Sequence, residues 1–215
     1  MKPSGGINNK IWIISGPAAV GKNYSILEPL LKLKISNLVV QDMDRLKDKA
    51  RGAFLRCDFD QYPLTRADRR DVPFLRQELA KALAGKPISI EASRAITAIE
   101  KQWHESKMQG LIDAFFEQNK GKDIVLGGVA WWPGEDPLAF PEESKRICLY
   151  RDPKVIAKDR CERDFYWRIE EEFFVSDVEK EIVEQFTLYE ERNWTSATAD
   201  QVLEDILSHY QQEGA

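Results

Sequence analysis

Apolar residues gather along the chain in two kinds of run. Four runs are short, apolar and bounded by polar or turn residues: 10–15 (KIWIIS), 37–41 (NLVVQ), 123–128 (DIVLGG) and 146–151 (RICLYR). Such runs predict strands buried on both faces, as in a parallel sheet. Elsewhere the apolar positions recur at helical spacing. Residues 22–34 carry Ile26, Leu27, Leu30, Leu31 and Leu33, and residues 74–84 carry Phe74, Leu75, Leu79, Ala82 and Leu83. A longer helical stretch, 92–118, presents Ala95, Ile96, Ile99, Trp103, Leu111, Ile112, Phe115 and Phe116, with Gly110 as its weak point. Further helices are predicted at 153–165, 177–190 and 199–211, and a last strand at 192–195 (RNWT). Ser176 with Glu179 and Thr198 with Gln201 have capping-box spacing, in which each side chain satisfies a backbone donor at a helix start.

Strands alternating with helices require crossover connections, so the fold class is α/β: a three-layer parallel sheet of about five strands with helices on both faces. The about 80 residues between the second and third strands far exceed one crossover helix. They predict a helical insertion, 46–119, within one domain spanning 1–215 whose core is 10–45 and 120–215.

Composition narrows the class. The 215 residues are 43% hydrophobic and 31% charged, as in a soluble globular protein. The formal charge of -5 gives a surface that repels a phosphate backbone, so no nucleic-acid partner is expected. Cys57, Cys148 and Cys161 are odd in number and lack CxxC spacing, which argues against a disulfide framework or a zinc site and fits a reducing cytoplasm. No run of 18 apolar residues exists, so no membrane association is expected. His104 and His209, the two histidines, have no cysteine or serine at a useful spacing and read as structural.

One motif carries chemistry. The first strand runs into Gly16-Pro17-Ala18-Ala19-Val20-Gly21-Lys22, followed by Asn23 and Tyr24 and then a helical segment. Glycines at these positions let the backbone wrap inward so that successive amide N–H groups point at one anion, aided by the following helix. Lys22 adds a mobile charge for the β- and γ-phosphates. In such loops the position of Asn23 is a serine or threonine whose hydroxyl ligates Mg²⁺. An asparagine oxygen reaches further and its NH₂ is useless to a cation. Three outcomes stand open: Asn23 ligates Mg²⁺ with shifted geometry, a water takes its place, or metal binding and catalysis weaken.

The second strand ends in Gln41-Asp42-Met43-Asp44-Arg45, at the sheet edge where the loop lies and where open α/β sheets bind ligands. If strand geometry persists, Asp42 and Asp44 share a side, one holding the metal and the other accepting a proton from an attacking hydroxyl. The alternative is that one of them caps a helix starting near 45. Gly127 and Gly128 at the third strand's end, with Trp131 or Trp132 beyond, are further candidates for substrate contact. Arg66, Arg69 and Arg70 either bind an acidic acceptor or form a salt-bridged surface turn.

The order GPAAVGK, a strand ending DMD, a strand ending Gly127-Gly128, then ICLYRDPKVIAKDRCER resembles the small-molecule and nucleoside monophosphate kinases of the P-loop class, especially those similar to shikimate and gluconate kinase. The resemblance covers most of residues 10–170. It implies ATP as donor, Mg²⁺ as cofactor and a mobile lid at about 158–175. It makes Lys22 the phosphate lysine, Asp42 the metal-side acid, Asp44 the substrate-side base, and Arg160 or Arg163 the lid cations. Segment 151–168, with Arg151, Lys154, Lys158, Arg160, Arg163 and Arg168, is locally basic, as a surface meeting a triphosphate needs to be; its alternative is a solvated helix of internal ion pairs. The expected function is ATP-dependent transfer of a γ-phosphoryl group to a small-molecule hydroxyl or a nucleotide, by a monomer or homodimer. The rival is a nucleotide-binding sensor that turns over weakly because of Asn23.

Overall fold

The computed structural model describes residues 9–46, 107–128, 138–167 and 175–213, with isolated positions between 74 and 92; of 44, 45, 163–167, 212 and 213 only the backbone is described. The described elements are β1 (Ile11–Ser15), a π-helical turn (Asn23–Leu27) continuing into α1 (Glu28–Leu33), β2 (Leu38–Asp42), α2 (Met43–Leu46), α3 (Gln109–Gln118), β3 (Asp123–Gly127), β4 (Lys145–Leu149), α4 (Pro153–Trp167), α5 (Val175–Glu191), β5 (Thr195–Ala197) and α6 (Ala199–Glu213). All five strands are parallel, in the order β2-β3-β1-β4-β5. The fold is therefore the expected α/β class with a five-stranded parallel sheet.

The chain steps from β1 one way to β2, then back the other way to β3, β4 and β5. Right-handed crossovers in opposite directions place helices on opposite faces. Alternation along β1 agrees: the Trp12 indole N–H donates to Asp205 of α6 at 2.7 Å, whereas Ser15 on the other side meets Tyr189 of α5 at 2.5 Å. Ile13, Ile14, Leu126, Ile147 and Leu149 fill the centre of the core and are fully buried. The edge strands differ from the expectation of burial: β2 is half-buried throughout, because only β3 flanks it.

Three local departures have chemical causes. The helix expected from residue 22 opens as a wide turn, in which the Glu28 N–H bonds the Asn23 carbonyl five residues back. Pro29 explains it, since proline lacks a donor and its ring crowds the carbonyl four residues earlier. The last strand begins at Thr195, not 192, because α5 extends to Glu191 and its C-terminus turns at Asn193 (φ +59°), where the Trp194 N–H returns to the Tyr189 carbonyl at 3.0 Å. Ser176 lies inside α5, which already includes Val175, so it does not hold the cap position. The second capping box forms as expected: Thr198 N–H donates to Gln201 Oε1 at 2.9 Å, and Gln201 N–H to Thr198 Oγ1 at 3.4 Å.

At the amino ends of the strands, α6 is fastened by two carboxylates. Asp123 accepts from the Lys10 N–H and the Tyr210 hydroxyl, each at 2.8 Å, and lies 3.5 Å from His209 Nε2. Asp205 accepts from Trp12 at 2.7 Å and from Lys145 at 2.6 Å. No helix among the described residues is long and apolar enough to cross a membrane.

Candidate phosphate-binding site

Residues 16–22 connect the carboxyl end of buried β1 to the π-turn, and their backbone is unusual. Gly16, Ala19 and Gly21 have φ of +138°, +65° and +99°. A Cβ on Gly16 would sit 3.0 Å from the Leu149 carbonyl oxygen and 3.4 Å from its nitrogen, backbone atoms of β4 that cannot give way. Gly16 is thus required both by its conformation and by the close approach of the next strand. Ala19 has no such freedom, and a left-handed alanine costs of order 1 kcal/mol. The loop closes on itself through Val20 N–H to the Pro17 carbonyl at 3.3 Å. The Lys22 ammonium folds back over it, donating to the carbonyls of Gly16 at 2.8 Å and Pro17 at 3.0 Å. Tyr24 stands 80% exposed at the loop's exit.

The two expected metal residues meet each other. Asn23 donates its amide nitrogen to Asp42 Oδ2 at 2.6 Å. A carboxylate offers only acceptors, so the amide must turn its NH₂ toward Asp42. The side of Asn23 facing the acid is therefore the one a cation does not bind. Asp42 supplies hard oxygen, the donor Mg²⁺ takes, and one or two carboxylates suffice when phosphates complete the shell. Among the described residues no cluster of three or more His, Cys, Asp or Glu is placed to hold a metal.

Strand geometry does not persist through the DMD segment. β2 ends at Asp42, and α2 starts at Met43, which is wholly buried. The alternation that would put Asp44 beside Asp42 is lost, because two residues along a helix are not on one side. The side chains of Asp44 and Arg45 lie outside the described residues. Gly127 and Gly128 are explained by packing rather than by substrate approach. A Cβ on Gly127 would fall 2.9 Å from Leu27 Cδ1, and one on Gly128 (φ +156°) 2.6 Å from Met43 Cβ. These glycines let the π-turn and α2 close onto the end of β3.

Beneath the loop is a polar cluster that sequence reasoning missed. The Tyr189 hydroxyl accepts from the Gly16 N–H at 2.9 Å and shares a hydrogen bond with Ser15 Oγ at 2.5 Å. Tyr189 is 4% exposed and Ser15 fully buried. Burial pushes the phenol above its ordinary value, outweighing its hydrogen bonds with Ser15 and Gly16, so it stays neutral. Cys148, in register with Ser15, has its thiol pushed up to about 12 by burial, against an opposing pull from Lys22. It is an inert core thiol. In sequence Tyr189 is one more apolar-face position of a helix, and no spacing marks it.

The basic segment is largely engaged in ion pairs. Arg160 donates to Glu181 of α5 at 3.0 Å, Arg151 to Asp159 at 2.6 Å, and Lys158 lies 4.0 Å from Glu162. The Arg160 pair ties α4 to α5 rather than reaching over the loop. The Arg163 side chain, Trp131, Trp132, Arg66, Arg69, Arg70, the rest of the lid and most of the insertion lie outside the described residues. No protein-family model matches the chain, and no curated protein matches it either.

Proposed function

We propose that the chain is an ATP-dependent phosphotransferase, moving a γ-phosphoryl group to a small-molecule hydroxyl or a nucleotide. The observation that carries this reading is the convergence at one sheet edge of the Gly16–Lys22 loop, the Lys22 ammonium folded across it, and Asp42 held by Asn23. Phosphoryl transfer asks a protein mainly for position and charge neutralisation. The loop's backbone donors would cradle the β- and γ-phosphates. Lys22 would exchange two carbonyls for phosphate oxygens, since an ammonium bonds an anion more strongly than a neutral acceptor. Asp42 would hold Mg²⁺, which bound with the nucleotide neutralises phosphate charge. Asp44 remains the proposed base for a hydroxyl acceptor, and Arg160 or Arg163 the proposed lid cations, which for Arg160 requires release from Glu181.

The Asn23–Asp42 hydrogen bond favours a second reading, a nucleotide-binding sensor of weak turnover, because it occupies the acid with an amide where a hydroxyl ligand is usual. ADP release from ATP and Mg²⁺, followed with and without an acceptor panel, separates the two. Acceptor-dependent turnover in the unmodified chain, reduced about 100-fold or more in Lys22→Ala, supports the kinase. Tight ATP binding with turnover appearing only in Asn23→Thr supports the sensor. No ATP binding at all defeats both.

A further inference from the structure

Gly16 is gripped from two sides. Its carbonyl accepts from Lys22 Nζ at 2.8 Å, and its N–H donates to the Tyr189 hydroxyl at 2.9 Å. The two grips differ in permanence. An arriving phosphate draws the ammonium away, since a charged acceptor outcompetes a carbonyl. The phenol stays, because every side of it is fixed. Its ring packs edge-on against Trp194 at 5.4 Å, its backbone carbonyl accepts from the Trp194 N–H at 3.0 Å, and its oxygen is held by Ser15 at 2.5 Å.

A tyrosine present only to fill the core would need one hydrogen-bond partner for its hydroxyl, and phenylalanine would pack as well. This one makes two bonds, both to the junction where β1 becomes the loop. The loop also contains a strained left-handed alanine, Ala19, so its shape is not what the free backbone prefers. Something rigid must hold the entrance once Lys22 has left it.

We propose that Tyr189 is a positioning residue of the phosphate loop: its hydroxyl, steadied by Ser15, fixes Gly16 so that the remaining loop amides stay converged on a nucleotide's phosphates. This rests on the reading of residues 16–22 as a nucleotide site, and it adds a residue from α5, about 170 positions away in sequence. Tyr189 touches no substrate. It acts through Gly16.

The test is equilibrium binding of ATP with Mg²⁺, of inorganic pyrophosphate, and of adenosine as a phosphate-free control. The full chain, Tyr189→Phe and Lys22→Ala are compared, each well below its unfolding midpoint. The expected result is that Tyr189→Phe weakens ATP and pyrophosphate about tenfold each, by orphaning the Gly16 donor, and leaves adenosine unchanged. A purely structural role would lower the melting temperature without this ligand pattern. Unchanged ATP and pyrophosphate affinity in folded Tyr189→Phe, with both weakened by Lys22→Ala, overturns the role of Tyr189 and leaves the phosphate site standing. Failure of the unmodified chain to bind ATP or pyrophosphate overturns both. If Tyr189→Phe does not fold, Ser15→Ala carries the same test: about threefold weakening of the phosphate ligands supports the proposal, and unchanged affinity overturns it.

Discussion

Asp123 at the amino edge of the sheet and Asp42 at the carboxyl edge lie on neighbouring strands, yet they are used in opposite ways. Asp123 is 3% exposed, accepts from the Lys10 backbone N–H and the Tyr210 hydroxyl, and lies 3.5 Å from the His209 ring. Asp42 is half-buried and takes the Asn23 amide, a neutral donor that a stronger partner can displace. The surroundings repeat the contrast. The amino edge is closed by α6 through ordinary packing and hydrogen bonds, whereas the carboxyl edge collects left-handed residues at 16, 19, 21 and 128 and a lysine folded onto carbonyls. One edge spends its polar groups on stability. The other holds them in the loop to which the proposed phosphate site is assigned.

This division is broken or sharpened most directly at Asp123. Replacing it by alanine strips the Lys10 N–H and the Tyr210 hydroxyl of their acceptor in a buried site, a loss of about 2–3 kcal/mol. For a chain of this size that lowers the melting temperature by about 5–10 °C. Nucleotide affinity measured on the folded fraction should not change. A loss of affinity without a loss of stability would erase the distinction between the edges.

The converse is expected at Asn23. Asn23→Thr removes the amide from Asp42 and supplies a hydroxyl suited to Mg²⁺. The Mg²⁺ concentration giving half-maximal nucleotide binding should fall about fivefold, roughly one hydrogen bond's worth of free energy. The melting temperature should stay within about 1 °C, since the bond lost is on the surface. A melting shift of several degrees with unchanged Mg²⁺ dependence would make Asn23–Asp42 a structural latch.

The sheet was legible because its strands are apolar on both faces, and the helices because their apolar residues recur at helical spacing. The tight turn at residues 16–22 was legible because glycines at those positions admit the positive φ it needs. What was hidden has a common cause. Gly127 and Gly128 answer to Leu27 and Met43, and Tyr189 answers to Gly16. Each is a relation between residues that only the folded chain brings together. The glycine pair is instructive: read along the chain it invited substrate, while in space it is already filled by the packing of the chain itself. The strand alternation expected through Asp44 stops for a local reason, since a buried methionine at 43 begins a helix where alternation needed one more strand residue.

The smallest effect should come from Asp205, the second carboxylate of the amino edge, and it tests whether that edge is electrostatic at all. Burial pushes its carboxyl up, but hydrogen bonds from Lys145 and Trp12 outweigh this and hold it below the ordinary 3.8. A carboxyl lowered by folding binds fewer protons in the native state than in the unfolded one. Its contribution to stability is therefore complete above pH 3.8 and is lost as the pH falls below that value. The side chain is 37% exposed, so solvent screening limits the contribution to about 0.5 kcal/mol. Denaturant unfolding of the unmodified chain and of Asp205→Asn should differ by this amount at pH 7, and the gap should narrow as the pH is taken below 3.8. Raising the salt to 1 M at pH 7 should narrow it too. A gap that survives both acid and salt would mean that Asp205 holds α6 by the shape of its hydrogen bonds to Trp12 and Lys145 rather than by its charge. The amino edge would then be set apart from the loop edge by packing alone.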